Sequence, residues 1–125
     1  MSITGKIDRI DRDGDLLRVV DYKTSRKNGK AKDSLQMALY TEALSRNAVD
    51  DIQGSPGSAV LHFLRHGEDP ESIHTFSEKE LSDQQEKIAK VTQGIREWNF
   101  EPRPNEYGVC KWCDYKDFIC PAWEE

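Results

Sequence analysis

The segment GKIDRIDRDGDLLRVVDYKT, residues 5–24, most constrains what this chain can fold into. Two runs rich in branched apolar residues flank Asp13-Gly14, a dipeptide that favours a tight two-residue turn. Ile3, Ile7 and Ile10 mark the first run as a strand, and Leu16 to Lys23 form the second. A β-hairpin built this way fixes which side chains meet. Residues two apart on a strand share a face, so Asp21 and Lys23 project together while Tyr22 points the other way, to a core position. With the turn at Asp13-Gly14, Asp8 falls near Val19, within a diagonal or two of Asp21.

Two carboxylates that converge repel each other unless a cation lies between them or one is protonated. Mg²⁺ suits such a pair, because it takes one or two carboxylates and keeps several waters. A lysine beside that ion gains a purpose when an anionic substrate arrives. It can orient a water, or stabilise the charge that develops on a phosphate. Asp8, Asp21 and Lys23 are therefore candidates for phosphodiester hydrolysis. Taken alone, an Asp-x-Lys tripeptide is common and reads as a pair of surface residues at a strand end.

The rest of the chain supplies the frame. Residues 24–32 carry Ser, Asn and Gly without periodicity and read as a loop. Asp33 is the expected N-cap of a helix whose apolar face is Leu35, Ala38, Leu39 and Ala43, with Gln36 in the third helical position. Ser58 to His66 reads as a buried strand and Ser72 to Phe76 as a further one. Ser77 and Glu80 form a capping box for a last long helix with Leu81, Ile88, Val91, Ile95 and Trp98 on its core face. The order is β-β-α-β-β-α followed by a cysteine-bearing tail. A helix between the second and third strands makes that pair parallel, while the two hairpins are antiparallel. The expected fold is α/β, a mixed sheet flanked by helices, with a core over 1–100 and a tail over 101–125.

Charge narrows the partners. One third of the 125 residues are charged and the net charge is −5, so the chain does not grip nucleic acid by overall charge. From Lys23 to Lys32, however, there are five basic residues and no acid. Arg26, Lys27, Lys30 and Lys32 are thus candidate phosphate contacts, against the plainer reading of a solvated loop. No apolar run reaches the length of a membrane span and no signal-peptide core opens the chain, so a cytoplasmic protein is expected. Cys110, Cys113 and Cys120 fall within sixteen residues, a poor disulfide framework and a better metal-site pattern.

GKIDRID, then VVDYKT, then LQMALYTEAL, together resemble the RecB-like nucleases of the PD-(D/E)XK superfamily. The closing CKWCDYKDFIC is similar to the CxxC…C cluster with which many of them bind a four-iron, four-sulfur cluster. The resemblance covers nearly the whole chain and implies a restriction-endonuclease-like core. Asp8 and Asp21 then match the metal-binding acids, with the Tyr22 carbonyl as an added ligand, and Lys23 matches the catalytic lysine. Gln36 and Tyr40 match the QxxxY motif; they share a helix face, where they either support the site or merely cap and pack the helix. The implied activity is a Mg²⁺- or Mn²⁺-dependent deoxyribonuclease, an exonuclease acting in DNA repair or recombination. The alternative is a catalytically incomplete DNA-binding or structural subunit of a nuclease complex.

In this family a helical segment with a metal-ligating histidine precedes the first strand, and a fourth cysteine lies upstream. The stretch in hand matches the C-terminal part of such a domain. His62, His66 and His74 lie downstream and are read as strand and turn residues, not ligands. With three cysteines the iron–sulfur site is incomplete, and Zn²⁺ or free thiols are its alternatives. A helicase, a nuclease subunit or a second copy of the chain is the expected partner beside DNA.

Overall fold

The computed structural model of the chain describes residues 2–26, 29–105, 108–116 and 118–123. They pack as two units, 1–88 and 89–125.

The first unit holds a four-stranded sheet in the order β1 (Arg9–Asp13), β2 (Leu16–Lys23), β3 (Ser55–Phe63), β4 (Glu71–His74). β1 and β2 are antiparallel, β2 and β3 parallel, and β3 and β4 antiparallel. The mixed sheet expected from the element order is present. β1 is shorter than expected, for Ile3 and Ile7 precede it.

The hairpin turn sits one residue later than expected. Asp13 pairs with Leu16, so the loop residues are Gly14 and Asp15. Gly14 takes φ +58° while Asp15 is not left-handed. That is glycine's place at the first position of a II′ turn, rather than the second position of an Asp-Gly I′ turn. The change moves every cross-strand partner by two. Asp8 then continues the register opposite Asp21 instead of Val19.

The parallel pairing of β2 and β3 begins where Ser55 donates its N–H to the Asp15 carbonyl at 2.7 Å. Gly54 permits this approach. A Cβ there would lie 2.8 Å from the Asp15 oxygen and 2.9 Å from the Leu17 side chain.

Between these strands runs α1 (Leu35–Ser45), preceded by a single 3-10 turn, Ala31–Asp33. Its N-cap is Ser34, whose hydroxyl accepts the Met37 N–H at 3.3 Å, not Asp33. The 3-10 turn takes up Asp33 and shifts the helix start by one residue. Its buried face is Met37, Ala38, Tyr40, Thr41 and Leu44, while Leu35 is exposed. That face packs on Leu17, Val19, Ala59, Leu61 and Phe63 from one side of the sheet. Phe63 is the largest fully buried side chain, and truncating it to alanine would cost about 3–5 kcal/mol.

The Ser77 capping box opens α2 (Glu78–Arg96): the Ser77 N–H and the Glu80 N–H are each met by the other's side chain. The backbone N–H and hydroxyl of Ser77 hold the Glu80 carboxyl below its ordinary value. Of the expected core face of α2, Leu81 packs against the core, Ile88 is half-buried, and Val91 and Ile95 are exposed. Trp98, expected in the core, is 83% exposed and stands beyond the helix end with φ +56°.

The second unit continues α2 to Arg96 and carries two 3-10 turns, Val109–Trp112 and Pro121–Trp123. No described helix is long and apolar enough to cross a membrane.

Candidate active site

The side of the sheet that packs on α1 is apolar as far as Val19 on β2 and becomes charged at the next two positions, Asp21 and Lys23. Asp21 is 4% exposed. Its Oδ2 is buried without a hydrogen-bond donor, although Lys23 Nζ lies 2.6 Å away as an ion partner. Among the described residues, the Lys23 ammonium is the partner this oxygen meets. A buried carboxylate left this way costs folding free energy.

Asp8 sits at the bend just before β1, and its Oδ2 accepts the Tyr22 N–H at 3.0 Å. That bond places the Asp8 carboxylate at the backbone between Asp21 and Lys23. The register of the hairpin, set by Gly14, is what brings it there.

Lys23 is held from the helix side. Its Nζ donates to Gln36 Oε1 at 2.8 Å. Gln36 Nε2 donates to the Tyr40 hydroxyl at 3.0 Å, and that hydroxyl donates to the Lys6 carbonyl at 2.5 Å. Positions i and i+4 on one helix face thus form a continuous chain. One end grips the lysine, and the other grips the backbone two residues before Asp8. A Cβ at Gly5 would come 3.1 Å from Tyr40 Cε1, so the segment lies close against the ring. The Gly5–Lys6 backbone contact carried no side-chain signal in the sequence, and the structure alone reveals it.

The structure thus brings Asp8, Asp21, Lys23, Gln36 and Tyr40 together. Tyr22 does not sit in the core as expected but on the opposite side of the sheet, partly exposed. Its hydroxyl accepts from Arg9 Nη1 at 3.0 Å and its ring meets His62 edge-on, centroids 5.6 Å apart. His62 Nδ1 lies 3.1 Å from Glu71, which also takes Arg18 Nη2 at 2.9 Å. The His62 hydrogen bond is the main cause that holds the Glu71 carboxyl below its ordinary value; burial opposes it, and Arg18 adds to the lowering. Arg9 pairs with Asp11 at 2.7 Å, which with Tyr22 raises its pKa further.

Arg26, Lys30 and Lys32 are exposed, and Lys27 lies outside the described residues. Cys110, Cys113 and Cys120 are free thiols, and Cys110 Sγ accepts the Asn105 N–H at 3.2 Å. Among the described residues, no three His, Cys, Asp or Glu side chains converge as a metal cage. Two carboxylates, one of them buried and short of a donor, fit a hard cation that keeps much of its water. They do not make a closed structural site.

The family model of the PD-(D/E)XK nuclease superfamily matches residues 1–121. The chain belongs to that superfamily, and its mixed sheet with flanking helices is the restriction-endonuclease-like fold. Nucleases of this superfamily typically use Mg²⁺ or Mn²⁺. No curated protein and no solved structure matches the chain.

Proposed function

We propose that this protein is a Mg²⁺- or Mn²⁺-dependent deoxyribonuclease of the RecB-like exonuclease kind, a cytoplasmic enzyme of DNA repair or recombination. The observation that carries the reading is the buried Asp21 carboxylate, ion-paired to Lys23 and with Asp8 fixed on the next backbone amide. Asp8, Asp21 and the Tyr22 carbonyl are the residues that would hold the ion. Bound there, it would polarise the scissile phosphate and acidify a water.

The chain's own residues supply the rest. Lys23 orients the attacking water and faces the charge that grows on the phosphate oxygens. Asp21 keeps the ammonium close. Gln36 fixes the direction of Nζ, and Tyr40 fixes Gln36 while anchoring the segment that carries Asp8. In this reading Gln36 and Tyr40 are positioning residues. Arg26, Lys27, Lys30 and Lys32 meet the strand's phosphates, so DNA affinity should fall as salt rises. Exposed Trp98, Phe100 and Trp112 support a partner chain on the 89–125 unit.

The test is cleavage of end-labelled single- and double-stranded DNA with Mg²⁺, Mn²⁺ or chelator. Metal-dependent release of nucleotides from an end is the expected result. Binding without cleavage under every metal would replace this reading with that of a DNA-binding subunit.

A further inference from the structure

No residue of α2 is buried, although the helix carries a regular apolar stripe. Leu81, Ile88, Val91 and Ile95 follow one another at spacings of 7, 3 and 4 residues, which sets them on one face. Leu81 meets the core and Ile88 is half-buried. Past Ile88 the stripe is bare, with Val91 60% exposed and Ile95 46%. Just beyond the helix, Trp98 and Phe100 meet edge-on with centroids 6.2 Å apart, and both rings are exposed. Single exposed apolar residues need no explanation, but a stripe that ends in two aromatic rings has the composition of an interface.

The charges of the same helix point to what covers the stripe. Residues 78–86 hold four acids and one base, whereas residues 87–96 hold three bases and no acid. A parallel copy of the helix would set acid on acid and base on base. An antiparallel copy sets each acidic half against a basic half, and does so twice about a two-fold axis. A nucleic-acid strand would be repelled by the acidic half. A lipid surface favours helices with a basic polar face, which the acidic half denies it. A second copy of this chain brings the apolar stripe and both blocks of charge in the required order.

We propose that α2 is a self-association surface on which two copies of the chain pair with their α2 helices antiparallel, with Val91 and Ile95 in the seam. The pairing rests on the partner-chain part of the reading above and makes it specific, without depending on the cleavage chemistry. The same patch is used on both copies, so the contact closes at a dimer.

The test is sedimentation equilibrium of the full chain over a range of protein concentration and moderate NaCl. Reductant and chelator are present, so that neither a disulfide nor a bridging metal joins the copies. A concentration-dependent dimer is expected, and it should weaken as NaCl rises because opposite charges are being screened. Val91→Glu should weaken it at least about a hundredfold by placing a charge in the seam. Far-UV circular dichroism should stay unchanged, since Val91 is exposed in the single chain. Lys87→Glu combined with Lys90→Glu leaves the stripe intact and should weaken the dimer about tenfold or more. A native chain that stays monomeric at every concentration would overturn the inference and leave the stripe to another protein or to another segment of this chain. A dimer indifferent to Val91→Glu would overturn it too, as would one that tightens with NaCl or ignores the lysine reversals. A chain that cuts DNA as a monomer loses the pairing alone, whereas a dimer that cuts nothing under any metal loses the nuclease reading alone.

Discussion

The two sides of strand β2 are built from alternate residues of one octapeptide, yet they treat charge in opposite ways. On the side facing away from α1, Arg18 and Tyr22 join Arg9, Asp11, His62 and Glu71 in a network where each charge has an opposite partner. One nitrogen, Arg18 Nε, is buried without a bond, but its guanidinium is paired through Nη2. These groups are partly exposed, which limits what their pairing adds to stability. On the side facing α1, Asp21 is buried with a donor-free oxygen, and its one cation is already committed to Gln36. The charges on the side away from α1 are paired among themselves, with one buried nitrogen left over. A buried carboxylate with a single ion partner can take a further ligand, and this contrast supports the α1 side as the candidate site.

The largest effect should come from Lys23→Ala. Metal-dependent DNA cleavage is expected to fall about 10²–10³-fold, measured as initial rates beside the native chain. The loss should appear in kcat rather than in DNA affinity, which the basic loop dominates. An affinity loss alone would move Lys23 from chemistry to binding.

Tyr40→Phe sharpens the contrast at the far end of the chain that holds Lys23. It leaves the Lys6 carbonyl and Gln36 Nε2 without their partner. A loss of about 1–2 kcal/mol in denaturant unfolding is expected, with cleavage down about tenfold. Gln36→Glu offers the complementary change. A carboxylate there still accepts from Lys23 but no longer donates to Tyr40, so Lys23 keeps its partner and cleavage should fall less than in Tyr40→Phe.

The opposite side predicts the reverse pattern. Glu71→Gln should leave cleavage unchanged and shift stability by no more than about 1 kcal/mol. Its signature is in pH. The folded Glu71 carboxyl lies below its ordinary value, so its contribution is present above that ordinary value and is lost as pH falls through the lowered one. Thermal unfolding of the native chain should therefore weaken on the acid side, and the variant's acid limb should be shallower. Glu80, lowered by the Ser77 cap, acts with the same sign and leaves a residual acid loss in the variant.

Much of the unit 1–88 was legible in the sequence, because strand alternation, the capping box and the order of elements are local signals. The pairing of Asp21 with Lys23 followed from period two alone. The precise meeting of Asp8 with that pair did not. Asp13-Gly14-Asp15 can place its turn in two ways, and only the II′ choice puts Asp8 opposite Asp21. The α1 face was misread because Leu35, Ala38, Leu39 and Ala43 also make a helical stripe, whereas the sheet covers Met37, Ala38, Tyr40, Thr41 and Leu44. Trp98 reads as core in any helical pattern that reaches it, but the helix stops at Arg96 and the indole is left outside. The Gln36–Tyr40 spacing was visible, but its anchor, a backbone carbonyl at Lys6, leaves no mark in a string of side chains.

In the proposed nuclease, Asp21 is kept buried for a cation at the cost of stability. The direct test is thermal unfolding of the native chain and Asp21→Asn, each with and without Mn²⁺. The variant, without metal, is expected to melt no lower than the native chain, because a buried carboxylate whose desolvation Lys23 only partly offsets has gone. Mn²⁺ is expected to raise the native Tm and leave the variant's unmoved, since a ligand stabilises only the state that binds it. A variant that melts well below the native chain, beside a native Tm indifferent to Mn²⁺, would make Asp21 and Lys23 a structural ion pair and contradict the account.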